Sequence, residues 1–165
     1  MPQSNVIRYG VIPALITIPL TGLRAWLEVN HAGEMVTKLV SLNVLALIWI
    51  IYFAVQMRRS GARIGAYLAV VAVFSVIYRV VISAVYALAW AQKWKTPDGA
   101  TTRYQREMID AFTQMKIEAP EQASAGLVFA FTSIPPIVMH IVVGALIWFI
   151  VKLFVKPSGS PTTRA

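Results

Sequence analysis

Three long, largely apolar runs dominate the chain. They are VTKLVSLNVLALIWIIYFAVQM at 36–57, GAYLAVVAVFSVIYRVVISAVYALAWA at 65–91, and GLVFAFTSIPPIVMHIVVGALIWFIVKLF at 126–154. Each is longer than the ~20 apolar residues that cross a hydrocarbon core as a helix. An earlier run, YGVIPALITIPLTGLRAWL at 9–27, is interrupted by Pro13, Pro19, Thr17 and Thr21. It predicts a fourth, kinked span; a signal sequence, suited by Arg8 ahead of the run, is the competing reading.

Between the last two runs, polar and apolar positions change period. Tyr104, Met108, Ile109, Phe112 and Met115 recur at helical spacing, with Arg103, Arg106, Glu107, Asp110 and Lys116 around the rest of the circumference. This predicts an amphipathic helix over about 102–118, bounded by the breaker-rich stretches KTPDGATT and EAPEQASAG. Thr102 with Gln105 three residues on resembles a capping box. The predicted fold is therefore an all-α integral membrane protein, a four-transmembrane-helix bundle with an extra amphipathic helix in a long external loop. Residues 1–156 are expected to form a single membrane domain, and 157–165, PSGSPTTRA, a disordered cytoplasmic tail.

Composition agrees. The 165 residues are 58% hydrophobic and 13% charged, against about 45–50% and 25% in a soluble domain. Mean hydropathy is +0.65. There is no cysteine, which removes disulfides, thiolate metal sites and cysteine nucleophiles. The net charge of +8 has no groove-like cluster with interleaved aromatics, so nucleic acid is not the expected partner.

The basic residues instead flank the apolar runs. Arg58, Arg59 and Arg63 fill one short link, and Lys152, Lys156 and Arg164 lie at the C-terminal end, with no acid in either segment. Short Lys/Arg-rich segments stay cytoplasmic, which places both termini inside a prokaryotic plasma (inner) membrane. Glu28, Glu34, Asp98, Glu107, Asp110, Glu118 and Glu121 then all fall outside. Trp26, Trp90 and Trp94 fall at outer ends, where interfacial tryptophans belong.

Candidate chemistry centres on Arg79, in the middle of 65–91. An arginine at a span's centre costs about 2.5–3.5 kcal/mol on insertion scales. Ser75 and Ser83 lie one helical turn to either side and Tyr86 two turns on, giving Arg79 a small and polar stripe that should face the bundle interior. His140 lies at matching depth in the last run, on a face with Thr132, Pro136 and Gly144. Pro135 and Pro136 remove helix N–H donors, which should kink the last span and free carbonyls near Thr132. Asn43, Thr17 and Thr21 are candidates for bridging helices.

No Asp or Glu falls within a predicted span, which disfavours cation coupling and denies Arg79 a counter-ion from its own chain. HExxH, Walker A and GxSxG motifs are absent, and no acid is placed to orient His140 for nucleophilic hydrolysis. No catalytic residue and no metal site is therefore assigned. The expected role is a non-catalytic subunit or scaffold, with the bilayer and a protein partner or second copy as partners, and Arg79 answered by an anion from partner, lipid or ligand. Two other readings stand beside it. One is a membrane redox subunit holding haem b through His140, or a quinone near Arg79. The other is an anion channel or carrier centred on Arg79 and His140.

Overall fold

The computed structural model describes residues 7–30 and 42–158. Within these the chain folds into helices and no strands, apart from an isolated bridge between Lys95 and Thr101. Four helices are long and apolar enough to cross a membrane. They are α1, Ile12–Val29, α2, Leu42–Arg59, α3, Ile64–Ala91, and α5, Ala125–Phe154. A shorter helix, α4, Arg103–Gln114, lies between the last two.

The predicted runs and the helices coincide closely, with instructive differences. The first helix begins with a π-helical turn, Ile7–Val11, that runs directly into α1, with Pro13 at the junction. Pro19, Pro135 and Pro136 all lie inside helices that run unbroken through them. Residues 36–41 of the second run, Glu34, and 159–165 of the predicted tail are outside the described residues. The start of that tail is tied down, because Ser158 N–H donates to Arg59 O at 2.9 Å.

Helix α3 is the axis of the bundle. Tyr67, Val70, Val71, Phe74, Ser75, Tyr78, Arg79, Ile82 and Ser83 are buried, a three-four spacing that turns one continuous stripe inward. Its largest contact is with α5. There Gly144 admits Tyr67, since a Cβ on Gly144 would lie 3.3 Å from Tyr67 Oη and 3.4 Å from Val71 Cγ1. Tyr67 then stacks on Trp148 with centroids 4.9 Å apart and donates to Ile50 O at 3.3 Å. Phe74 meets Phe53 edge-on at 5.4 Å and stacks on Tyr78.

The α2–α3 turn closes on Gly61 with φ of 74°, and Ala62 N–H reaches back to Met57 O at 2.9 Å. This is the left-handed helix stop that glycine supplies without strain. Arg58 Nε donates to Val155 O at 3.2 Å. The basic Arg58–Arg63 link and the end of α5 therefore share one end of the bundle.

Helix α4 sits at the opposite end. Phe112 packs edge-on against Trp90 and Phe131, and Gln105 Nε2 donates to Ala89 O at 3.1 Å. Two expectations are corrected here. Thr102 is the N-cap but its side chain caps nothing, and Gln105 is buried against α3 rather than reaching back to Thr102. Trp90 is no interfacial anchor: it is buried in this cluster and its Nε1–H donates to Ala123 O at 2.7 Å. An indole that finds a carbonyl inside the fold has no need of the bilayer interface.

Candidate functional site

Arg79 is 8% exposed, and its guanidinium is met by neutral groups from two other helices. Nη2 donates to Asn43 Oδ1 on α2, and lies 3.2 Å from His140 Nε2 on α5. Guanidinium can only donate, so His140 Nε2 is the acceptor. The imidazole is then neutral, with its proton on Nδ1, which lies 3.1 Å from Ser75 Oγ and donates to it. Three helices are thus joined by one chain of hydrogen bonds running from Asn43 through Arg79 and His140 to Ser75. The Arg79 guanidinium also lies 5.7 Å from the Tyr78 ring, within cation–π range.

The network leaves the arginine incompletely answered. Its Nε is buried with no hydrogen-bond partner among the described residues, and no carboxylate of those residues forms a salt bridge with it. The nearby arginines are differently placed: Arg24 pairs with Glu28, and Arg103 with Glu107, each one helical turn apart.

Two openings meet at Arg79. A cavity of about 310 Å³ extends towards the α4 end and is bordered by Arg24, Tyr86, Arg103 and Glu107. Phe131 and Thr132, the residues whose carbonyls Pro135 and Pro136 release from the helix ladder, also line it. A groove of about 550 Å³ runs between α2 and α5 in the other direction, along Leu47, Ile50, Met139 and Val143. Asn43, Arg79, Phe131 and Pro136 border both. Beside the polar cavity, burial raises the Tyr104 phenol above its ordinary pKa, so Tyr104 is neutral there.

Of the residues singled out in the sequence, Arg79, His140, Ser75 and Asn43 come together. The others do not join them. Ser83 Oγ is buried without a partner among the described residues, although it shares the stripe with Arg79. Tyr86 lines the polar cavity but meets Tyr104 edge-on at 5.0 Å. Thr132 Oγ1 turns back to Val128 O at 2.8 Å in its own helix. Thr17 and Thr21 likewise donate to Ala14 O and Thr17 O within α1, so neither bridges helices there. For these three threonines a carbonyl three or four residues back lies within reach, and that local bond wins. Tyr78 was missed: its Oη donates to Leu42 O, pinning the start of α2 beside Arg79. Its position next to Arg79 in sequence was the available signal.

The chain matches no known protein family, curated protein or solved structure.

Proposed function

We propose that this chain is an integral membrane protein with no catalytic role of its own, a subunit or scaffold of a membrane complex whose Arg79 centre takes up an anionic group from outside the chain. The observation that carries this is the state of Arg79. It is a buried permanent cation held by neutral acceptors, with its Nε unpartnered and no acid salt-bridged to it among the described residues. Buried charges are ordinarily paired. Here the pairing group has a cavity and a groove through which to arrive.

A bilayer is the surrounding that suits the outer surface. Ile134, Val138, Val142, Leu146, Phe149 and Leu153 stand exposed along α5, an apolar strip far longer than water tolerates. The basic Arg58–Arg63 link and the end of α5 share one end of the bundle, which supports a cytoplasmic placement of that end in a prokaryotic plasma membrane. The α4 end is then outside. A protein partner or second copy would supply the anion by docking; a lipid would supply it by lateral entry.

The alternatives gain less from the geometry. Haem ligation needs a free His140 ring nitrogen, and both are engaged, Nε2 by Arg79 and Nδ1 by Ser75. An anion pathway would continue past Arg79 through polar groups, whereas the groove there is walled by Leu47, Ile50, Met139 and Val143 and the interior is filled by Phe53, Phe74 and Tyr67. The test is native mass spectrometry of the protein released from its membrane in neutral detergent. Wild type should carry an adduct of defined mass that Arg79→Gln loses. A bare chain of equal thermal stability in both would overturn the proposal.

A further inference from the structure

Resting on that reading, the shape of the site says what kind of anion it takes. The two openings differ in chemistry and point in opposite directions from Arg79. Towards the α4 end the walls are charged and polar: Arg24, Tyr86, Arg103 and Glu107. Away from it, α2 runs from Asn43 to Ile50 and α5 from Pro135 to Val143, roughly 10 Å of apolar groove at 1.5 Å per residue. Leu47, Pro135 and Met139 are exposed along this groove, so it is open sideways between the helices. A polar chamber, a cation at its floor, and an apolar slot continuing beyond it, open sideways between α2 and α5, reproduce, in order, the headgroup, charge and acyl chain of a lipid.

Charge narrows the class. Of the cations that line the polar cavity, Arg24 and Arg103 are each paired with a glutamate, and Arg79 is salt-bridged to no carboxylate among the described residues. One uncompensated positive charge calls for one negative charge. A phosphodiester has that charge and the oxygen acceptors a guanidinium fork prefers, and in a phospholipid whose headgroup brings no cation of its own that charge is left for Arg79. We propose that Arg79 is the phosphate-binding residue of a site for one anionic phospholipid, whose headgroup occupies the polar cavity and one of whose acyl chains lies in the groove between α2 and α5.

The test uses the full-length protein in a maltoside detergent, with phosphatidylglycerol, phosphatidylcholine of the same chains, palmitate and inorganic phosphate as probes. Phosphatidylglycerol should form a one-to-one adduct by native mass spectrometry and raise the unfolding temperature, with phosphatidylcholine at least tenfold weaker. Met139→Trp fills the groove from an exposed position; it should leave the lipid-free unfolding temperature unchanged and weaken phosphatidylglycerol at least tenfold. Equal binding of the two phospholipids, undiminished binding by Met139→Trp, or binding of palmitate alone would overturn the lipid assignment. If inorganic phosphate protects wild type but not Arg79→Gln while phosphatidylglycerol fails, the lipid inference falls and the anion-centre reading survives. If none of the four probes protects, both fall. Met139→Trp keeps the test decisive even where Arg79→Gln does not fold.

Discussion

Asn43→Asp is the sharpest perturbation of the centre, because it changes charge and almost nothing else. The Asn43 oxygen that accepts from Arg79 Nη2 becomes a carboxylate oxygen in the same place. Two unit charges about 4 Å apart attract by about 4 kcal/mol at an effective dielectric near 20. Against this stands the cost of an Asp in a membrane helix, at most about 2.5–3.5 kcal/mol at the centre. Asn43 is exposed and borders the polar cavity, so the full cost of a carboxylate facing hydrocarbon does not apply. The variant should therefore match wild type or exceed it by about 1 kcal/mol in the absence of ligand. Asn43→Ala, which deletes a hydrogen bond to a charged group, should lose about 1.5–3 kcal/mol. Anion binding should move the opposite way. The new carboxylate neutralises Arg79 and repels a bound phosphate, so phosphatidylglycerol binding should fall well over tenfold. The assay is thermal unfolding in maltoside with and without phosphatidylglycerol. Asn43→Asp that is less stable than Asn43→Ala, or that binds the lipid as wild type does, would refute the reasoning.

Further outcomes follow from other contacts. Gly144→Val should lose about 1–3 kcal/mol in detergent unfolding, because the added carbons meet Tyr67 Oη and Val71 at the α3–α5 contact. Trp90→Phe removes the N–H that reaches Ala123 O and should cost about 1 kcal/mol, read as faster proteolysis or hydrogen exchange over residues 115–124 with α3 unchanged. Single cysteines at Ser60 and Thr113 should react with an impermeant maleimide from opposite sides in oriented vesicles, since the two positions lie at opposite ends of the bundle; labelling from one side would overturn the proposed topology. Replacing the centre together, as Arg79→Met, Asn43→Leu and His140→Phe, should leave unfolding stability within about 1.5 kcal/mol of wild type, while Arg79→Met alone costs more by stranding the other two.

The parts of the fold legible in the sequence are those governed by length and period. Four helices follow from apolar runs too long for anything else, and the inward stripe of α3 follows from Ser75, Arg79 and Ser83 one turn apart. The meeting of Arg79 with His140 followed from their equal depth on neighbouring runs. What stayed hidden depends on competition between nearby partners. Thr17 and Thr21 have the residue type of helix bridges and Thr132 shares the face of His140, yet in each a carbonyl of the same helix takes the hydroxyl. Gln105 had the spacing of a capping box, but a buried carbonyl at Ala89 offered the better bond. Trp90 had a belt residue's position, and packing of α4 against it decided otherwise. Asn43 was recognised as a bridge without its partner, since no pattern within α2 indicates which helix its side chain faces.

The energetics of Arg79 bear on why a charge is there at all. An arginine in a span costs about 2.5–3.5 kcal/mol on insertion scales. Hydrogen bonds to a charged group return about 1.5–3 kcal/mol each, and Arg79 makes two, to Asn43 and His140. The cage thus covers the cost, and a well-packed apolar set does as well at such sites. Stability alone therefore gives no reason to keep the arginine, nor the Asn43 and His140 acceptors that exist to satisfy it. Those acceptors are neutral, which holds the guanidinium in place without cancelling its charge. A carboxylate at Asn43 would have held it as well and silenced it. The choice of an amide and a neutral imidazole keeps a positive potential directed into the cavity and groove, and that is the property an anion-binding centre requires.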